Sequence, residues 1–202
     1  MMDAVTQPIG CVEDSSIDKR NIVISVIFFI IIVPLTIWMM KKKRKISQII
    51  IYNTFVVYIF GAIAQICLPI HYSGRPIVEN IKSFPYSEFI YITPFKQEYF
   101  DMYATDAVLR LIKSYILNII LTIPFGVLFP LMKRSSTRSM ILIAVLVGLS
   151  AETIQLLIGI LFGNQYRVTH IDDVIMNAIG VMLGYILIKV FTRKYNYLSV
   201  NY

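Results

Sequence analysis

Residues 140–162 read MILIAVLVGLSAETIQLLIGILF, an apolar run interrupted by one charged side chain, Glu152, and one amide, Gln155. A transmembrane helix needs about 20 predominantly apolar residues to cross hydrocarbon that is roughly 30 Å thick. This run is long enough, so we expect it to be a membrane-spanning helix. A charged side chain at the centre of a bilayer costs at least about 2.5 kcal/mol. An acid in such a helix therefore predicts a functional site inside a membrane protein.

The composition of the whole chain agrees with this interpretation. Of its 202 residues, 57% are hydrophobic and only 15% are charged, which is unlike an ordinary soluble domain. The apolar runs are about twice as long as a barrel strand and show no strict alternation of apolar and polar residues. We therefore expect an all-α integral membrane bundle with about five transmembrane helices. The predicted spans are residues 22–40, 49–69, 113–132, 140–162 and 174–191.

A single membrane domain is predicted, because no internal repeat or low-complexity tract divides the chain. It covers residues 22–192 and lies between an outer N-terminal tail, residues 1–21, and a cytoplasmic tail, residues 193–202. Residues 71–110 form an outer loop. Its aromatic stretch, residues 84–100, is expected to lie in the headgroup layer. This loop is interpreted as a membrane anchor or, alternatively, as a lid over a polar site.

Three basic clusters set the expected orientation. They follow the first span, the third span and the fifth span, and consist of residues 41–45, then Lys133, Arg134 and Arg138, then Arg193 and Lys194. Lysine and arginine accumulate on the cytoplasmic side of membrane proteins. We therefore expect an N-terminus outside, a C-terminus in the cytoplasm, and a multi-pass protein of the plasma membrane. This topology accounts for the net charge of +7 without a nucleic-acid partner.

Each of the last two predicted spans carries two polar side chains and two glycines at the helical spacing i, i+4, i+7 and i+11. The residues are Gly148, Glu152, Gln155 and Gly159 in one span, and Asp173, Asn177, Gly180 and Gly184 in the other. If a short loop joins two antiparallel helices, a rise of roughly 1.5 Å per residue sets Glu152 level with Gly184 and Gln155 level with Gly180. The glycines would then allow close contact and leave room for the polar side chains.

The third span is expected to supply another wall. Asn118 lies within it, and Pro124 removes the amide that would bond to the carbonyl of Ile120, which leaves that carbonyl as a free acceptor. A broken or kinked helix is predicted here. A packing role for the kink is equally open.

Four polar residues are expected at the outer mouth of the site: Arg167, His170, Asp172 and Asp173. Arg167 can pair with Asp173, which is favoured at the start of a helix, or it can hold an anionic headgroup through two parallel hydrogen bonds. The alternative to a functional site is a set of polar contacts that only joins the helices.

An ordered set of motifs runs through the second half of the chain. In sequence it comprises Pro94-Phe95, Asn118, Pro124-Phe125-Gly126, Glu152-x-x-Gln155, Arg167 and Asp173-x-x-x-Asn177-x-x-Gly180-x-x-x-Gly184-Tyr185. This set resembles the VanZ-like family of small polytopic membrane proteins, over about residues 91–185. The chain departs from that family's pattern at two positions. His170 stands where members often have Asp, and Tyr91 stands where they often have Asn.

The resemblance implies a cell-envelope protein, in some members associated with low-level resistance to teicoplanin and related lipoglycopeptide antibiotics. We favour a protein that recognises a lipophilic or lipid-linked anionic ligand at the outer leaflet, either an antibiotic or an envelope precursor. In this hypothesis Arg167 holds the anion, Asp173 and Asn177 orient it, and Glu152 and Gln155 line the buried end.

Two other functions stay open. A membrane-embedded hydrolase or transferase would use Glu152 as general acid or base, with Asp173 or His170 as its partner. A small transporter is the second alternative. No cofactor and no metal are predicted, because Cys11 and Cys67 lack Cys or His partners at ligand spacing. The pairing of these two cysteines, the ligand and the oligomeric state are not determined by the sequence.

Overall fold

The computed structural model describes residues 30–67, 74, 76–84, 90–95, 105–163 and 169–195. The described elements, in chain order, are α1 (Ile30–Lys41), α2 (Ile46–Cys67), α3 (Ile77–Ser83), β1 (Ile90–Tyr91), α4 (Thr105–Met132), α5 (Thr137–Phe162), β2 (Thr169–His170) and α6 (Ile171–Tyr195). The chain divides into two compact units, Met1–Asn53 and Thr54–Tyr202. Helix α2 begins in the first unit and continues into the second.

Four helices are long and apolar enough to cross a membrane: Ile46–Cys67, Leu111–Met132, Thr137–Phe162 and Ile171–Arg193. They correspond to the last four predicted spans, so the predicted all-α membrane fold is confirmed. Of the first predicted span, residues 22–40, the structure describes only the part that belongs to α1, and the fifth transmembrane helix stays a prediction. The predicted orientation and the predicted domain limits also stay predictions.

The first unit contains α1 and the beginning of α2. The Asn53 side-chain amide donates a hydrogen bond of 2.9 Å to the Thr36 hydroxyl, which joins these two helices. The predicted basic run begins where α1 ends. Lys42 places its ammonium group 4.4 Å from the ring centre of Trp38, and Lys43 adopts a positive φ of 52°. The basic run therefore forms the tight connection between the two helices.

In the second unit, α4 and α6 run parallel and in close contact. The partners of α4 ascend along α6 in the same direction, from Asn118 with Asp173 to Gly126 with Val181. A Cβ atom on Gly126 would overlap the carbonyl oxygen of Val181, and one on Gly184 would overlap main-chain atoms of α4. Small residues thus allow the two backbones to approach each other. Thr122 adds a hydrogen bond of 2.8 Å to the carbonyl of Asn177.

This contact corrects a prediction about the glycines of α6. Gly180 and Gly184 were expected to face the helix of Glu152, which is α5, but both lie against α4, next to Ile119 and Ile123 respectively. The physical reason is that α4 and α6 form the closest helix pair of the second unit. On α5, it is Gly148 that allows close approach, because it lies against the main chain of Val174 in α6.

Helix α5 runs antiparallel to α6, but with a different register from the predicted one. Gly148 contacts Val174, and Thr137 lies beside Tyr185. Glu152 is therefore level with the start of α6, and its predicted alignment with Gly184 is wrong by roughly 20 Å along the helix axis. The offset arises because β2 precedes α6 and pairs with β1. Consequently α6 begins beside the middle of α5, not beside its end.

The buried core of the second unit lies between the first turns of α5 and the middle of α6. It consists of Met140, Ala144, Val181 and Tyr185, and partly buried side chains such as Phe125 pack against it. Large apolar side chains elsewhere on the long helices are exposed, for example Leu142 and Leu187. Such an apolar exterior is expected of helices whose surroundings are hydrocarbon.

Two contacts near the start of α6 and the end of α5 hold the segments that connect the long helices. β1 and β2 form a parallel pair in which Ile90 aligns with Thr169 and Tyr91 with His170. The sequence did not predict these strands. Helix α3 lies beside the end of α5, because the buried side-chain amide of Asn80 donates to the carbonyl of Leu161 at 3.1 Å. The half of α5 that extends past the start of α6 thus contacts α3.

Candidate functional site

A cavity of about 750 Å³ lies between α2, α4, α5 and the start of α6. Its wall combines apolar side chains with polar ones. The polar residues that line it are Gln65, Ser114, Tyr115, Asn118, Gln155, His170 and Asp173. The predicted site residues Asn118, Gln155, His170 and Asp173 are therefore brought together here.

Asp173 is the acidic residue among those that line the cavity, and the side chain of Asn118 fixes its position. The side-chain amide of Asn118 donates a hydrogen bond of 2.6 Å to a carboxylate oxygen of Asp173. Asp173 lies in the first turn of α6, where the helix dipole favours a negative charge. The parallel packing of α4 and α6 brings the two residues together. One side of the cavity thus carries a fixed carboxylate.

Asp172 has a different environment from its neighbour in sequence. It is only 1% exposed, and both of its carboxylate oxygens accept hydrogen bonds. One accepts from the main-chain N–H of Phe95 at 2.9 Å, and the other from the hydroxyl of Tyr115 at 2.6 Å. A buried carboxylate requires such donors. Although the sequence predicted a ligand contact, this geometry suits a residue that positions Tyr115, which lines the cavity, and the segment of Phe95.

The segment from β1 to Phe95 is fixed at both ends. At one end, the ring of Tyr91 stacks on His170, with ring centres 5.1 Å apart. At the other end, Phe95 has a positive φ of 49°, which is rare for a bulky residue and costs on the order of 1–3 kcal/mol. The hydrogen bond to Asp172 offsets this cost. The stretch of Pro94 and Phe95 is therefore fastened beside the cavity.

His170 connects this segment with the cavity, since its side chain stacks on Tyr91 and also lines the cavity wall. Burial lowers the pKa of His170 below its ordinary value of 6.5, and the negative charge of Asp172 partly opposes this shift. The neutral imidazole is thus favoured in the folded protein. In this form it offers one donor and one acceptor.

Glu152 and Asn177 are buried deeper and do not line the cavity. They are 4% and 2% exposed, and Asn177 lies one helical turn beyond Asp173. The side-chain oxygen of Asn177 accepts no hydrogen bond from the part of the chain that the structure describes. A buried acceptor left without a donor costs about 1–3 kcal/mol. This amide therefore favours a donor such as a bound water molecule.

The remaining predicted residues lie in different places. Arg167 and Cys11 fall outside the described residues. Gly159 is buried in the half of α5 that extends past the start of α6. Among the residues described, no group of three or more His, Cys, Asp or Glu side chains is placed to hold a metal ion.

Sequence analysis missed three polar residues of the cavity wall: Gln65, Ser114 and Tyr115. Two signals were present. Gln65 is an amide near the end of a mostly apolar span, and Tyr115 precedes Asn118 by three residues, which places both on one helix face. No pattern in the sequence showed that α2 would lie beside α4 at this level.

The prolines of the third span do not break the helix, since α4 continues through Pro124 and Pro130. The predicted free acceptor was the carbonyl of Ile120. In the structure the Tyr58 hydroxyl donates to the next carbonyl, that of Leu121, at 2.9 Å. A side chain of α2 thus bonds to the main chain of α4 one residue away from the carbonyl that the proline leaves without its N–H partner.

Comparison with known proteins identifies the family. A family model, VanZ/LLP1, matches residues 55–192, which is more than half of the 202-residue chain. No curated protein and no solved structure matches the chain. The matched range contains all of the described residues that line the cavity. The chain, with its four apolar helices long enough to span a membrane, therefore belongs to the VanZ/LLP1 family.

Proposed function

We propose that the protein recognises a lipophilic or lipid-linked molecule of the cell envelope in the cavity between α2, α4, α5 and the start of α6. The observation that carries this proposal is the cavity itself. Its volume of about 750 Å³ lies in the range of small-molecule sites, which are mostly apolar with a few convergent polar groups. The polar groups here come from four helices and β2, so they surround one space.

The apolar part of the cavity supports a ligand with a hydrocarbon chain. Leu117 and Ile120 line it, yet they are also 51% and 57% exposed on the surface of α4. In a membrane that surface faces hydrocarbon. A lipid could therefore place its headgroup between the helices while its chain continues into the bilayer.

The polar part supports a headgroup with several hydrogen-bonding groups. Asn118, Gln155 and His170 can each donate and accept, and Asp173 accepts. A hydroxyl- or amide-bearing headgroup suits this set. For the anionic ligand predicted from the sequence, Arg167 is the proposed partner of the negative charge, since guanidinium groups bind phosphate and carboxylate through two hydrogen bonds.

For such a site we propose a role in glycopeptide and lipoglycopeptide resistance of the teicoplanin type. The site would lie at the outer leaflet of the plasma membrane, where an antibiotic with an acyl chain or a lipid-linked precursor is accessible. The resemblance to VanZ-like proteins supports this role, and the cavity supplies a place for the ligand.

Binding to the purified protein tests the proposal. We expect teicoplanin, or a lipid-linked envelope precursor, to bind the protein in detergent, and teicoplanin without its acyl chain to bind at least tenfold more weakly. Gln155→Ala should weaken binding about fivefold, the effect of one lost hydrogen bond. Thr153→Ala is the matched control, because Thr153 is exposed on the opposite side of α5. Equal loss in both variants, or no binding of any such molecule, would contradict the proposal.

An acid/base hydrolase or transferase is the second candidate, because His170 and Asp173 line the same cavity. In that case His170 would transfer protons and Glu152 would not contact the substrate directly. Release of the headgroup from a labelled envelope lipid by the reconstituted protein, abolished by His170→Gln, would favour this candidate. Binding without turnover favours the first.

A further inference from the structure

One end of the second unit carries positive charges that have no acidic counterpart on the helices beside them. Lys133, Arg134 and Arg138 are exposed where α4 passes into α5, and Arg193 is exposed near the end of α6. The sequence has no Asp or Glu in residues 107–151 or 174–202. The adjoining parts of these three helices therefore provide no carboxylate for an ion pair.

Hydrogen bonds place these cations on one surface. The Lys189 ammonium group donates to the Thr137 hydroxyl at 3.1 Å and lies 5.2 Å from the ring centre of Tyr185. The hydroxyls of Thr137 and Tyr185 are 3.3 Å apart. The start of α5 is thus fixed beside the last turns of α6. We call the surface formed by Lys133, Arg134, Arg138, Lys189 and Arg193 the basic end.

The connection between α4 and α5 is itself ordered, and the first three cations lie in it or directly after it. The main-chain N–H of Lys133 donates to the carbonyl of Phe129 at 3.0 Å, which closes α4. The side chain of Ser136 then accepts from the N–H of Ser139 at 3.2 Å and caps α5. Arg134 consequently projects from a short, fixed connection and Arg138 from the capped first turn of α5, and less conformational entropy is lost when they bind an anion.

We propose that the basic end binds the phosphate group of an anionic phospholipid in the adjacent leaflet. The ends of spanning helices lie at headgroup level, where an exposed group of cations attracts anionic lipids. Arginine side chains bind phosphate oxygens through two parallel hydrogen bonds. The lipid supplies the negative charge that the neighbouring helices lack.

This inference is independent of the proposed function. The cavity is at the start of α6, whereas the basic end is formed around Lys189, roughly 24 Å further along the helix axis from Asp173. Failure of one proposal therefore leaves the other intact.

The test compares lipids that differ only in headgroup charge. The full chain, purified in neutral detergent, is titrated with phosphatidylglycerol and with phosphatidylcholine of the same acyl chains, and bound lipid is counted by native mass spectrometry. We expect phosphatidylglycerol to bind at least tenfold more tightly. The double variant Arg134→Gln and Arg138→Gln should weaken its binding on the order of tenfold or more, with an unchanged melting temperature.

Two controls make the result decisive. The double variant Lys82→Gln and Lys113→Gln removes the same charge from exposed positions outside the basic end, and it should bind phosphatidylglycerol like the unchanged protein. Millimolar inorganic phosphate should not displace the lipid. Equal binding of both lipids, equal loss in both double variants, or complete displacement by phosphate would each overturn the proposal.

Discussion

The ring of Tyr91 stacks on the imidazole of His170, with ring centres 5.1 Å apart and planes inclined by 11°. The resemblance described above singled out these two positions as departures from the VanZ-like pattern, and β1 and β2 align them directly. Two residues that are far apart in the sequence thus meet in one contact. An aromatic pair joins the two strands.

Because the two rings interact, the losses of stability caused by replacing each of them should not be additive. Stacked aromatic pairs contribute about 0.5–1.5 kcal/mol beyond their burial. In a cycle of Tyr91→Ala, His170→Ala and the double variant, we expect a coupling free energy of about that size, measured by unfolding in detergent. Strictly additive losses would show that the contact does not stabilise the loop.

The pH dependence of stability should report His170. Burial lowers its pKa below 6.5, so the unfolded chain binds more protons than the folded protein between the two pKa values. Stability is therefore complete above about pH 6.5 and falls as the pH decreases through that value. We expect the melting temperature to decrease from about pH 7 to about pH 5, and His170→Gln to remove part of this slope. An unchanged slope in the variant would assign the effect to other groups.

Asp172 should fasten the segment of Phe95. Replacing it by Asn removes the charge from two hydrogen bonds, with an expected loss of stability of about 1–3 kcal/mol. Hydrogen exchange at the Phe95 amide should accelerate. Tyr115→Phe removes only the second bond and should leave that amide protected. Equal exchange in both variants would contradict a separate role for the two carboxylate oxygens.

The glycines of α6 should be intolerant of even one methyl group. A Cβ on Gly184 would overlap the main chain of α4, which cannot move aside like the end of a side chain. We expect Gly184→Ala to destabilise the protein by about 1–3 kcal/mol. Gly61→Ala in α2 is the matched control, because nothing lies within 4 Å of its added Cβ. Its higher helix propensity should leave stability unchanged or raise it.

The orientation can be tested with Cys11 and a C-terminal reporter. We expect Cys11 to react with a membrane-impermeant thiol reagent on intact cells, and a C-terminal reporter to be cytoplasmic, because the basic clusters favour that side. Reaction only after lysis, together with an external C-terminus, would invert the topology. The proposed ligand site would then open to the cytoplasm.

Hydrophobic length was sufficient to predict the four spanning helices, because few alternatives to a helix exist in hydrocarbon. The types of the site residues were also informative, since Asn118 and Asp173 meet at the cavity. Helix register was not predictable in the same way. The spacing of Glu152 and Gly184 described each helix alone, while the offset between the helices depends on β1, which lies far from β2 in the sequence. Periodicity within a helix carries no information about such a distant pairing.

Helix α6 begins beside the middle of α5, and this offset between the two helices explains how the cavity arises. If α6 had started opposite the end of α5, its first turns would have filled the space beside Gln155 with their own side chains. The late start leaves that space to the cavity, which His170 and side chains of α4 line. A change in the length of the connection after Phe162 would therefore alter the volume of the cavity, while Gly148 and Val174 would keep α5 and α6 in contact.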